Sequence, residues 1–226
     1  MRVAVFGGSF NPIHFGHLLV ADEVCEILAF DRVLFVPASS PPHKPAADLA
    51  PASHRFRMTA LAVREHPRFA VSDVELERSG PSFTVDTLTA LCGRDELHLL
   101  IGSETFLDLL HWRDPRRVVR LARLVVVPRN STGFDVDSPA CQKVLDDLGL
   151  PNFVPGERWQ DQPEASPSSA GRAGRPPAPL LVRAASLPIS GSDLRRRARE
   201  GLSLAYRMPE SVAGYIREHR LYRADC

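Results

Sequence analysis

Arg2-Val3-Ala4-Val5-Phe6-Gly7-Gly8-Ser9-Phe10-Asn11-Pro12-Ile13-His14-Phe15-Gly16-His17 opens the chain with an apolar run, a glycine-bearing turn and then two histidines three positions apart. The run 3–6 has apolar neighbours without alternation, the pattern of a strand covered on both faces. Beyond His17, Val20, Val24, Ile27 and Leu28 fall at i, i+4, i+7 and i+8, one stripe of a helix. Asp31-Arg32 then leads into a second apolar run, 33–36. Strand, turn, helix and strand make a βαβ unit, whose crossover is expected to be right-handed.

The same rhythm continues. Further strands are predicted at 97–101, 124–127 and 180–182, and further helices at 53–65, 84–91, 103–110, 115–122, 138–148, 192–200 and 209–219. Ser53 and Ser138 suit helix caps and Pro209 a first helical position. Alternation throughout predicts a doubly wound α/β fold with a mainly parallel sheet, in one domain spanning 1–226. Only the stretch from about 151 to 179 breaks the pattern. It holds seven prolines and three glycines, and 164–179 is nearly all Ser, Pro, Ala, Gly and Arg. It reads as a flexible surface insertion, with Trp159 available to dock part of it.

Composition narrows the function. Of 226 residues, 44% are hydrophobic and 24% charged, and the formal net charge is +1. No general attraction to nucleic acid or membrane follows, so any anion binding must be local. Cys25, Cys92, Cys141 and Cys226 form no Cys-x-x-Cys pair and no zinc-spaced cluster. A reduced, cytoplasmic compartment is the simplest expectation, and the opening strand lacks the layout of a signal peptide. Of the 28 basic residues 26 are Arg, which singles out Lys44 and Lys143.

The turn after the first strand is where an open α/β sheet binds ligands. Gly7 and Gly8 let backbone N–H groups approach a phosphate, and the helix start adds its positive end. His14 and His17 can face one anion from that helix start. Neither Gly-x-Gly-x-x-Gly nor Gly-x4-Gly-Lys-Ser/Thr occurs, so phosphate binding here uses another device.

His14-Phe15-Gly16-His17 in this setting resembles the His-x-Gly-His signature of the nucleotidyltransferase superfamily. Ile189-Ser190-Gly191-Ser192-Asp193-Leu194-Arg195 resembles its Ile-Ser-Ser-Thr-x-x-Arg motif, with Gly191 in place of the second Ser and Ser192 in place of the Thr. Pro41-Pro42-His43-Lys44, Ser82-Phe83-Thr84-Val85-Asp86-Thr87-Leu88, and Ile101-Gly102-Ser103-Glu104 with Trp112 following resemble blocks of the bacterial nicotinate-mononucleotide adenylyltransferases. Glu104 stands where that family usually has Asp.

The resemblance implies a Rossmann-like enzyme of NAD biosynthesis. It would transfer an adenylyl group from ATP to nicotinate mononucleotide. His14, His17, Lys44 and Arg195 are then the catalytic candidates. Gly7, Gly8, Ser9, Phe10, Gly102, Glu104, Ser190 and Ser192 would bind ATP, and Thr84, Trp112, Arg113 and Arg129 the mononucleotide. Mg2+ is expected to arrive with ATP, with no dedicated metal ligands on the protein. The residues alone leave other readings open. Trp112 suits a core aromatic as well as a stacking partner, Thr84 a plain helix cap, Arg129 a surface charge. The remaining histidines read as ordinary surface or packed residues. A superfamily relative acting on nicotinamide mononucleotide, phosphopantetheine or a cytidylyl acceptor, and a nucleotide-sensing domain without catalysis, are the alternative functions; oligomeric state is open.

Overall fold

The computed structural model describes residues 1–42, 49–128, 133–156 and 175–223. Its seven strands are β1 (Arg2–Gly8), β2 (Arg32–Pro37), β3 (Phe69–Val71), β4 (Glu96–Gly102), β5 (Arg123–Val127), β6 (Val154–Pro155) and β7 (Leu180–Leu181). They form one sheet in the order β3-β2-β1-β4-β5-β7-β6, with every pairing parallel. The helices are α1 (Phe15–Ile27), α2 (Ala52–Val63), α3 (Thr84–Leu91), α4 (Ser103–Leu107), α5 (Pro115–Leu121), α6 (Pro139–Leu148), α7 (Gly191–Arg199) and α8 (Glu210–Glu218). Among the described residues no helix is long and apolar enough to cross a membrane.

Side chains alternate across the sheet and so supply two cores. Along β5, Val125 and Val127 join one core with α1, α2, α7 and α8. Leu124 and Val126 join the other with α3, α4, α5 and α6. This is the doubly wound, three-layer arrangement that alternating strands and helices predict. On α1 the fully buried line is Ala21, Val24, Cys25 and Leu28, whereas Val20 and Ile27 are half-buried.

The structure departs from the sequence reading at several points. β3 and β6 have three and two residues, too few for a periodic signal. Val154–Pro155 lies in the proline-rich stretch yet forms the sheet edge. Val154 N donates to Pro179 O and Gly156 N to Leu181 O, so the N–H that Pro155 lacks would have faced away from the sheet. Trp159 and most of the expected insertion lie outside the described residues. The helix expected over 103–110 breaks after Leu107 and resumes as a 3-10 turn, Leu109–His111. Ser138 caps α6 by accepting from Cys141 N at 3.4 Å. Ser53 does not cap α2, whose cap position is Pro51, and Pro209 sits at the cap of α8 rather than inside it.

One core residue titrates. His98 on β4 is fully buried beside the Phe30 ring at 4.8 Å, its Nε2 3.5 Å from Glu96 Oε1. Burial, with Arg2 and Arg123 adding to it, pushes its pKa from 6.5 down to about 3. The folded protein therefore holds His98 neutral at pH values where the unfolded chain protonates it. Stability from this source is complete above pH 6.5 and lost as pH falls towards 3, at about 1.4 kcal/mol per pH unit. His98→Leu should flatten this acid slope. Urea unfolding at pH 7, 5 and 4 checks it, and an unchanged slope in the variant would refute the assignment.

Candidate active site

From β1 the chain winds to β2 and β3 on one side; β4 sits on the other side of β1 and leads on to β5. The connections diverge between β1 and β4, where Gly8 and Gly102 end their strands. Such a divergence opens a crevice at the carboxyl edge of the sheet. The loop after Gly8 and the start of α4 after Gly102 flank it.

Gly7 and Gly8 close β1, and Ala38 N after β2 donates to Gly8 O at 2.8 Å. The Phe10 ring is buried, packed on Phe6, Phe35 and His17 with centroids 5.6, 5.7 and 5.2 Å away. Its backbone has φ +41, in the left-handed region. His14 then occupies the cap position of α1 in extended conformation, and His14 N donates to His17 Nδ1 at 3.3 Å. That bond makes Nδ1 of His17 an acceptor, so the neutral ring carries its proton on Nε2. The two imidazoles stack at 3.8 Å with planes 27° apart. Gly16 makes room for this stack, since a Cβ there would lie 3.1 Å from the His14 ring. The two histidines of the motif thus form a paired surface at a helix start.

The second motif reaches the same turn from the far end of the chain. Ser190 caps α7, accepting from Asp193 N at 3.2 Å, and its hydroxyl lies 3.0 Å from that of Ser192. Arg195 Nη1 donates to Asn11 O at 3.0 Å. A Cβ on Gly191 would sit 3.1 Å from Asn11 O and 3.4 Å from Arg195 Nη1, so glycine lets the start of α7 approach the loop.

Arg55 of α2 is a site residue that the sequence reading did not name. It is 1% exposed. Its Nε donates to Ala50 O at 2.8 Å, Nη1 to Ser9 O at 2.9 Å and Ala38 O at 2.5 Å, and Nη2 to Ser39 O at 2.9 Å. One guanidinium therefore ties together the loop after β1, the loop after β2 and the approach to α2. Burial lowers its pKa, and nearby Tyr222 and Glu75 oppose that shift. A signal was available: position 55 shares the buried face of α2 with Met58, Thr59 and Val63. The abundance of arginine elsewhere masked it.

Two of the acceptor candidates, Thr84 and Arg113, lie at the start of α3. Phe83 occupies its cap position and offers no side-chain cap, and Thr84 is the first helical residue. The Arg113 guanidinium lies 4.7 Å over the Phe83 ring, with Nη1 4.0 Å from Asp86 Oδ2. Trp112 is half-buried against the second core. Ser82 is joined to the loop after β2 in both directions: Ser82 N to Ser40 O at 2.9 Å and Ser40 N to Ser82 Oγ at 3.1 Å. Behind α3, the buried Glu75 accepts from Thr87 Oγ1 at 2.5 Å. Glu104 is exposed on the first turn of α4, with Gly102 at its cap position. Lys44 and Arg129 lie outside the described residues. Among the described residues no three His, Cys, Asp or Glu side chains converge to hold a metal ion.

A model of the cytidylyltransferase-like family matches residues 5–197. The chain belongs to this family. Within it the chain groups with the nicotinate-nucleotide adenylyltransferases. The probable nicotinate-nucleotide adenylyltransferase of Thermus thermophilus is 41% identical over 226 residues, spanning 99% of this chain and 100% of that protein. The one from Geotalea uraniireducens is 39% identical over 225 residues, spanning 98% of each. The fold is also that of Plasmodium falciparum nicotinic acid mononucleotide adenylyltransferase complexed with NaAD. That structure has a TM-score of 0.69 at 16% identity and covers 98% of this chain and 97% of its own.

Arg55→Met should take the donor from four carbonyls, one buried and three part-buried. The loss of stability should be at least about 3 kcal/mol, since each unsatisfied group costs about 1–3 kcal/mol. Arg55→Lys should recover only part of it, because an ammonium lacks the fork that spans three loops. Urea unfolding of both variants checks this, and an Arg55→Met protein within about 1 kcal/mol of the wild type would show that the clamp is dispensable.

Proposed function

We infer that the protein transfers the adenylyl group of ATP to nicotinate mononucleotide, giving nicotinate adenine dinucleotide and pyrophosphate in NAD biosynthesis. One observation carries the reading: a stacked His14–His17 pair at the start of α1, in the crevice beside β1, with Arg195 of α7 bonded to the same loop. In the reaction a phosphate oxygen of the mononucleotide attacks the α-phosphorus of ATP. The bond from that phosphorus to the bridging oxygen of the β-phosphate breaks, and pyrophosphate leaves with the electron pair. The nucleophile is already an anion, so no general base is needed. The rate comes from alignment and from donors aimed at developing charge.

His17 presents Nε2–H to the α-phosphate, and His14 stacks on it at the helix start. The backbone of Gly7, Gly8, Ser9 and Phe10 packs against the nucleotide. Ser190, Ser192, Arg195 and Lys44 hold the β- and γ-phosphates, and Gly102 and Glu104 line the ribose side. Thr84, Trp112, Arg113 and Arg129 take the mononucleotide. Mg2+ would be carried in by ATP, where it would neutralise phosphate charge. The compartment proposed for this chemistry is the cytoplasm.

His17→Ala should remain folded and lose turnover roughly 100-fold, the ~3 kcal/mol that one preorganised donor contributes. Pyrophosphate release at saturating substrates measures this, and near-native turnover would remove His17 from the mechanism. The second expectation concerns the acceptor. The first turn of α3 has backbone N–H groups and no side-chain cap, and Arg113 is held over Phe83 beside it. A carboxylate accepts from such donors at both oxygens, whereas an amide must turn its NH2 towards one. Charged hydrogen bonds contribute about 1.5–3 kcal/mol each, so one or two should favour nicotinate over nicotinamide mononucleotide by about 10- to 10⁴-fold in kcat/KM. Equal kcat/KM for the two acceptors would dissolve the carboxylate pocket and leave adenylyl transfer standing.

A further inference from the structure

The segment after α8 reaches the loop after β1. After His219 the chain folds back, Leu221 N donating to Ile216 O at 3.0 Å. Arg220 and Tyr222 both adopt left-handed backbone, φ +51 and +66. That conformation is costly for side chains with a Cβ and persists only where the surroundings enforce it. Its result is that the Tyr222 hydroxyl reaches 211 positions upstream and donates to Asn11 Oδ1 at 2.8 Å.

Asn11 is the joint of the loop. Its side-chain oxygen also accepts from Ala50 N at 3.1 Å, so Tyr222 and Ala50 supply two donors to one amide oxygen. Its backbone oxygen accepts from Arg195. Three residues later His14 caps α1. The Tyr222 ring packs against the core on the α1 face, so its apolar body and its hydroxyl have separate partners. Burial raises the phenol's pKa, which keeps the hydroxyl a donor at any working pH.

We propose that Tyr222 is a positioning residue for adenylyl transfer, orienting the phosphate-binding loop and Arg195 through its hydrogen bond to Asn11. This rests on the reading of that loop as the ATP site. Removing the hydroxyl leaves the ring packing in place and takes from Asn11 Oδ1 one of its two named donors, leaving Ala50 N. His14, His17 and Arg195 then adopt their joint geometry less often.

The test uses the full-length protein and pyrophosphate release at saturating Mg-ATP and nicotinate mononucleotide. Tyr222→Phe should lower kcat about three- to tenfold, the effect of one neutral hydrogen bond, with the KM for nicotinate mononucleotide unchanged. Tyr215→Phe is the control. Its hydroxyl, on α8, bonds His54 Nδ1 at 2.9 Å and touches no part of the loop, so its kcat should equal that of the wild type. In an Asn11→Ala background, Tyr222→Phe should have no further effect. A Tyr222→Phe enzyme with wild-type kcat would overturn the inference. So would losses that multiply in the double variant, or an equal loss in Tyr215→Phe. A wild-type protein that releases no pyrophosphate would overturn the adenylyl-transfer reading as well.

Discussion

A parallel sheet gathers its strand-to-helix turns at one edge, and those turns point carbonyl oxygens towards the protein and partly away from water. Each such oxygen needs a donor. Here the Arg55 guanidinium supplies it to Ser9, Ala38, Ser39 and Ala50. A rigid fork of donors suits this task, because a single group must bond carbonyls pointing from different segments. The loop after β1 therefore has a fixed shape before any substrate arrives. Asn11 extends the arrangement to α7 through Arg195 and to the chain end through Tyr222.

Fixing the loop in advance fits the chemistry. When the nucleophile is already charged, a rate enhancement must come from donors that need no reorganisation as charge moves in the transition state. The His14–His17 stack meets that requirement without proton transfer. The bond from His14 N sets the His17 tautomer, and Gly16 leaves room for the stack. The wedge of Phe10 against Phe6, Phe35 and His17 keeps the imidazole from turning inward.

The proposed nucleotide and acceptor sides are linked through the loop after β2. Arg55 holds Ala38 and Ser39, and the next residue, Ser40, exchanges two hydrogen bonds with Ser82 just before α3. Arg113, from the turn before α5, lies over Phe83 at that same helix start. A continuous path of hydrogen bonds and ring contacts therefore runs from Ser9 to Arg113. Relative placement of the two substrates is what an alignment mechanism demands.

The sequence by itself determined the fold class, the parallel sheet and the two motif segments proposed here for the nucleotide site. Those properties are carried by local patterns: apolar runs, helical stripes, the glycine-bearing turn before His14, and Ser190 ahead of Arg195. The short β3 and β6 were not legible, because two or three residues carry no period and are strands only through their neighbours. The cap that was the plainer alternative for Thr84 falls instead on Phe83, since backbone dihedrals rather than residue type set where the helix begins. Arg55, whose one signal was its place on the buried face of α2, and Tyr222 were not legible as site residues for a different reason. Each is an ordinary residue type in an ordinary helical or terminal segment, and what distinguishes it is a hydrogen bond to a residue 46 or 211 positions away. Side-chain type is local information, but which buried oxygen a donor meets is decided only when distant segments pack together.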